Sequence, residues 1–152
     1  MKREHVFQTT TYIPLPREEV FEFFAAAENL ELITPPELKF SITKLPEGGI
    51  HEGALIEYKL QLFGVPFGWR TYIAVWDPPH RFVDQQIEGP YRVWHHTHTF
   101  ADEGEGTRMD DRVRWALPVW PFGEVARPLV AAQVRRIFAY RERAIREILL
   151  AK

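Results

Sequence analysis

The chain of 152 residues contains no cysteine. Disulfides, zinc fingers, iron–sulfur clusters and thiol catalysis are therefore excluded. Positive charge is not in surplus either: 19 Lys and Arg stand against 21 Asp and Glu, a formal net charge of −2. Basic residues are dispersed among acids, so no nucleic-acid partner is expected. No apolar run reaches the ~20 residues that span a bilayer. The opening "MKREHVFQTT" has no long apolar stretch, so neither a leader nor an integral membrane segment is expected, and a cytoplasmic protein is. Internal repeats, low-complexity stretches and a Gly-rich dinucleotide fingerprint are also missing. Aromatic residues are abundant, with Trp 5, Tyr 5 and Phe 11. Rings in such numbers fill a core or line a cavity. The length suits one domain, spanning 1–152.

Hydrophobic patterning orders the elements. "HVFQTTTYI" (5–13) is rich in β-branched and aromatic residues and predicts a strand, stopped by "PLP". "REEVFEFFAAAENL" has acids in its first turn and Val20, Phe23 and Phe24 at helical spacing, and "ITPPEL" ends a second short helical turn. Six more strands are predicted, over roughly 38–45, 54–63, 68–77, 80–88, 91–101 and 106–117. The separators all contain Gly or Pro, and their shortness predicts antiparallel hairpins. Residues 124–151 carry Val130, Val134, Ile137, Phe138, Ile145 and Ile148 at steps of three and four, the mark of a long amphipathic helix. The order is β-αα-ββββββ-α. The expected architecture is α+β, a seven-stranded antiparallel sheet wrapped around the C-terminal helix.

Strand side chains alternate, so parity sorts them. Ile56, Tyr58, Leu60 and Leu62 share one face, which is inside. Val113, Trp115 and Leu117 do the same, with Asp111 in register. Over 92–100, Trp94, His96, His98 and Phe100 make the better inward face, and His95 points out. Over 82–87 neither face is cleanly apolar.

The segments "IPLPREEVFEFFAAAENLELITPP", "LFGVPFGWRTYIAVWDPPHRFVDQQIEGPYRVWHHTHTF" and "IFAYRERAI" resemble the START/Bet v 1-like superfamily, in its bacterial SRPBCC (polyketide cyclase/dehydrase and lipid transport) branch. The resemblance covers essentially the whole chain and implies the helix-grip fold. It turns Phe82, Asp84 and Gln86 inward. That superfamily holds lipid carriers, hormone receptors, quinone-binding proteins, aromatase/cyclases and hydrolases, so the resemblance implies a ligand cavity but no single activity.

The interior then holds polar groups that must pair with one another, with water or with a ligand. Three readings of "VWHHTHTF" compete. His96 and His98, two apart on one strand face, have a spacing that metal sites use, with Asp84 or Asp111 to add a carboxylate. The stretch departs from the cupin pattern, because Glu103 falls in a turn and the glycine spacing fails, so no metal and no cofactor are expected. Asp84 with His96 or His98 could form an acid–base dyad for a cyclase, dehydratase or hydrolase. An internal Asp–His–His–Gln network that polarises one part of a pocket is the preferred reading. Arg141 lies on or beside the buried helical stripe, expected to bridge to Asp84 or Asp111 and otherwise to anchor an anion. The expected ligand is a small hydrophobic molecule such as a lipid, quinone or polyketide. Its site would be built from Phe24, Tyr58, Trp69, Phe82, Asp84, Gln86, Trp94, His96, His98, Phe100, Trp115 and Arg141. The apolar loops 63–68 and 118–123 share one end of the sheet and predict a mouth, a plug, a homodimer contact or a transient membrane contact.

Overall fold

The computed structural model describes residues 4–119 and 122–150, with the Phe122 side chain left out. One sheet of seven antiparallel strands dominates: β1 (His5–Ile13), β2 (Ser41–Lys44), β3 (Leu55–Leu62), β4 (Val65–Asp77), β5 (Arg81–Glu88), β6 (Val93–Glu103) and β7 (Gly106–Ala116). Their order across the sheet is β1-β7-β6-β5-β4-β3-β2. Consecutive strands from β2 to β7 pair as hairpins, and β1 returns to pair with β7. Between β1 and β2 lie helix α1 (Arg17–Ala25) and two 3-10 turns, Ala27–Glu31 and Pro36–Leu38. The long helix α2 (Arg127–Leu149) follows a further 3-10 turn.

Several boundaries differ from the sequence expectation: β4 starts at Val65 rather than 68, and β6 runs Val93–Glu103 rather than 91–101. The second strand starts at Ser41 rather than 38, because Pro36–Leu38 tightens into a 3-10 turn closed by Lys39 in the left-handed region. Helix α2 starts at Arg127 with proline in its first turn, where a missing N–H costs no hydrogen bond.

Inward parity holds along β3, where Ile56, Tyr58, Leu60 and Leu62 are all buried. It holds along β6 and β7, whose pairing runs without a bulge from Val93↔Ala116 to Glu103↔Gly106. In β4 it switches. The register against β5 shifts between Ile73 and Val75, so the inward set passes from odd (Trp69, Thr71, Ile73) to even (Trp76). A bulge of one residue does this by letting two residues face one. Trp76 consequently packs against Phe21 and Phe82, at ring separations of 5.2 and 5.4 Å.

The buried stripe of α2 is Val130, Val134, Phe138, Ala144 and Ile145. Ile148, expected on it, is exposed; the stripe has rotated past it by the last turn. Burying one such aliphatic or aromatic side chain contributes ~1.5–3 kcal/mol. The core is divided into three clusters. One gathers Phe21, Phe24, Phe82, Phe100, Met109 and Ile145 near α1. Another gathers Leu60, Leu62, Tyr91, Trp115, Val134 and Phe138. The third holds Ile56, Tyr58 and Ile73.

At the other end, the β3–β4 turn is Phe63-Gly64, with φ of 53° and 79°. Both central residues of a two-residue turn take positive φ here, as a type I′ hairpin requires. Glycine does so freely, whereas a bulky residue at the first position is strained. Phe63→Asn should therefore raise stability by ~1 kcal/mol, read as a higher urea midpoint at constant slope; an unchanged or lower midpoint would show that the Phe63 ring contributes more than its backbone costs. Phe63, Val65 and Val119 are exposed. Trp120 and Pro121, assigned to the same apolar end, lie outside the described residues.

Candidate functional site

A cavity of about 140 Å³ lies where the three clusters meet, between the sheet and α2. Apolar side chains of β3, including Ile56 and Leu60, form its floor, and Ile137 and Phe138 of α2 face them. Tyr58, Trp69, Tyr91 and Trp94 supply aromatic walls. Asp84, His96, His98 and Arg141 make its polar part. Trp69 Nε1–H donates to Thr71 Oγ1 at 3.0 Å, fixing the indole.

The polar part is a closed quartet. Asp84 on β5 sits opposite His96 on β6, and His98 sits opposite Asp111 on β7. Each carboxylate hydrogen-bonds the imidazole diagonal to it. Asp84 Oδ2 accepts from His98 Nε2–H at 2.5 Å, and Asp111 Oδ1 accepts from His96 Nε2–H at 2.7 Å. The direct pairs are looser. His96 Nδ1 lies 3.6 Å from Asp84 Oδ2. His98 Nδ1 is 3.3 Å from Asp111 Oδ1, at ion-pair distance but without hydrogen-bond alignment. The imidazoles stack at 3.6 Å, Phe82 stacks on His98 at 3.9 Å, and Phe138 meets His96 edge-on at 5.3 Å. Asp111, His96 and His98 are almost sealed; Asp84 keeps about a fifth of its side chain exposed.

Charge is distributed unevenly within the quartet. Burial works against ionisation of both carboxyls, but the histidines and the Arg141 field outweigh it and hold Asp84 and Asp111 below the usual range. Burial and the neighbouring His98 charge push His96 down to about 4, so it is neutral near pH 7. Burial also opposes charge on His98, yet its contacts with Asp111 and Asp84 prevail and raise it. The signs set a pH profile for stability. The His98 contribution is complete below about pH 6.5 and is lost as pH rises through its folded value. The His96 contribution runs the other way: between about pH 6.5 and 4 the unfolded chain takes the proton first, so stability falls on acidification. The carboxylates add their loss below about pH 4. Urea midpoints should therefore peak at roughly pH 6.5–7, and His96→Asn should flatten the fall from there toward pH 4. A midpoint that keeps rising from pH 6 to 9 would contradict this charge assignment.

Several positions read from the sequence meet here: Phe24, Tyr58, Trp69, Phe82, Asp84, Trp94, His96, His98 and Arg141 all line the cavity. Three do not. Gln86 turns to the backbone of Tyr91, donating to its carbonyl at 2.7 Å and accepting from its N–H at 3.1 Å. Phe100 packs into the cluster beside Phe21 and Phe24. Trp115 lies over His5 at 4.7 Å, away from the cavity. Asp111 completes the quartet, where strand parity had only allowed it inside. Arg141 forms neither expected bridge, to Asp84 or to Asp111. Among the described residues no carboxylate lies within ion-pair distance, because Asp84 and Asp111 are committed to the imidazoles; its guanidinium rests instead 5.4 Å from Phe24 and 5.6 Å from Phe138. His95 is on the other face, opposite Gln85 and Arg114. Tyr91 was missed as a lining residue, since it follows a Gly-Pro turn and shows no alternation. The loop rings Phe63 and Phe67, expected at a mouth, a plug or a contact surface, are not part of the lining.

The groups Asp84, His96 and His98 could also bring one ligand atom each to within 4.8 Å of one another, a spacing open to a cation. The hydrogen-bonded diagonals show how the same groups satisfy each other without one.

Among the described residues no helix is long and apolar enough to cross a membrane. The fold is the helix grip of START/Bet v 1-like proteins. The chain is similar to the aromatase/cyclase Zhui from Streptomyces sp. R1128, with TM-score 0.76, 16% identity and 96% of each chain covered. It is similar to TTHA0849 from Thermus thermophilus, with TM-score 0.73, 25% identity, and 97% and 98% of the two chains covered. A START superfamily protein from Mycobacterium smegmatis aligns with TM-score 0.69 at 11% identity, over 95% and 99%. No curated protein sequence matches. The family model described as "Domain of unknown function (DUF8410)" matches residues 30–149, most of the chain, and the protein belongs to that family.

Proposed function

We propose that the protein binds a small hydrophobic molecule in the cavity between the sheet and α2. One observation carries the reading: an apolar, ring-lined space lies between the sheet and α2, with a few convergent polar groups at one part of it. Ligand sites have that composition, and interiors without a ligand role are close-packed. A dry apolar cavity of ~150 Å³ takes one benzene molecule, so the space as it stands suits one ring. A lipid, quinone or polyketide of several rings exceeds that volume. The relatives with this fold include an aromatase/cyclase and a START superfamily protein, which supports a ligand-holding role.

The test is a toluene titration followed by methyl NMR. Shifts concentrated on the lining methyls, among them Ile56, Leu60, Ile73 and Ile137, are expected. No perturbation at saturating toluene, or shifts only at surface methyls, would refute the reading.

A second reading is an enzyme, favoured by the Asp84–His98 hydrogen bond at the cavity wall. Asp84, the exposed member of that pair, could move a proton on a bound ligand while His98 holds its carboxylate in place. The two readings separate chemically. A carrier returns its ligand unchanged after incubation. An enzyme converts it, and Asp84→Asn then slows conversion ~100-fold or more while binding persists.

A further inference from the structure

Arg141 is the polar group that the quartet leaves over. It projects from α2 one turn beyond Ile137 and lines the cavity. Its Nε and Nη2 atoms are buried, and among the described residues nothing accepts a hydrogen bond from either. Leaving a buried charged donor unmatched is costly. The two carboxylates that could have taken the guanidinium feel its field but bond the histidines instead. The side chain is nonetheless held, because its guanidinium lies against Phe24 on α1 and Phe138 on α2. The unmatched atoms have a particular geometry. Nε–H and Nη2–H form one edge of the guanidinium, two parallel donors at the spacing of two carboxylate oxygens.

We propose that the ligand is a small aryl carboxylic acid, with its ring among Tyr58, Trp69, Tyr91 and Trp94 and its carboxylate gripped by the Nε–Nη2 edge of Arg141. This rests on the cavity being a ligand site and adds the chemical class. The cavity admits one ring, and the fork admits one planar two-oxygen group. A hydroxyl would meet one donor and leave the other unmatched.

Isothermal titration of the full chain at neutral pH with benzoate, benzyl alcohol and toluene tests this. Benzoate should bind at least tenfold more tightly than benzyl alcohol. Arg141→Met should remove that preference while toluene binding persists. Arg141→Lys should restore only part of it, since an ammonium is a point charge without the fork. The comparison among ligands on the unaltered protein stands even if a variant folds poorly. Toluene binding with no preference for benzoate would overturn the proposal and leave the cavity reading intact. A benzoate preference that survives in folded Arg141→Met would also overturn it, placing the anion elsewhere. If none of the three binds, both readings fall together.

Discussion

Asp111→Ala should lower the unfolding free energy by ~3–5 kcal/mol, a large share of what a domain of this size has. Asp111 is buried and holds His96 Nε2–H while facing His98 Nδ1. Removing it leaves an unmatched imidazole N–H and a buried positive charge with one counter-ion fewer. The adjacent residue provides the control. Asp110 points to the opposite face, partly exposed, and accepts from Thr10 Oγ1 at 2.6 Å and from Arg108 at 3.2 Å. Asp110→Ala should cost no more than ~1 kcal/mol, as exposed pairs do. Urea denaturation of the two variants reads the difference, and equal losses would mean that the quartet is not the buried charge network described. Replacing all four members together by apolar residues of similar volume should cost far less than the single change, because a buried network costs desolvation that its pairing only offsets. The quartet is then better understood as shaping the cavity than as holding the fold.

Phe138→Ala should cost ~3–5 kcal/mol by truncating a buried ring. The ring packs on Phe7 at 5.0 Å, on the edge of His96 at 5.3 Å and beside the Arg141 guanidinium, and it is part of the cavity wall. Its loss joins the vacated volume to the existing space. The variant should bind naphthalene more tightly than the unaltered protein does, and saturating naphthalene should recover part of the lost stability. Leu129→Ala, on the exposed side of the same helix, should change stability by less than ~0.5 kcal/mol. A Phe138→Ala variant that loses stability but binds no larger ring would show that α2 collapses onto the sheet.

These two residues mark how far sequence reasoning reached. Phe138 was legible as a buried helical position because its spacing from Val134, Ile137 and Ile145 follows the helix period. Nothing in that spacing said that it borders a void. Asp111 was legible as inward by parity with Val113 and Trp115. Its neighbour Asp110 has the same chemistry, and parity alone separated them. That it joins two histidines depends on β6 and β7 pairing without a bulge. The diagonal hydrogen bonds depend on how neighbouring strands lie against each other, which no single strand encodes.

The element order, the antiparallel meander, the inward faces of β3, β6 and β7 and the buried stripe of α2 were determined by the sequence itself. They follow from periods of two and 3.6 residues, which are local properties of the backbone. The tertiary structure alone decided the rest. A bulge in β4 turned Trp76 inward, and Gln86 was drawn to the Tyr91 backbone. Asp84 and Asp111 were claimed by His98 and His96, which left the Arg141 Nε–Nη2 edge without an acceptor among the described residues. Each outcome is a choice among alternatives of similar local energy. It is settled by ångström-scale distances between residues far apart in the chain, where a hydrogen bond forms or fails and a ring fits or leaves a space.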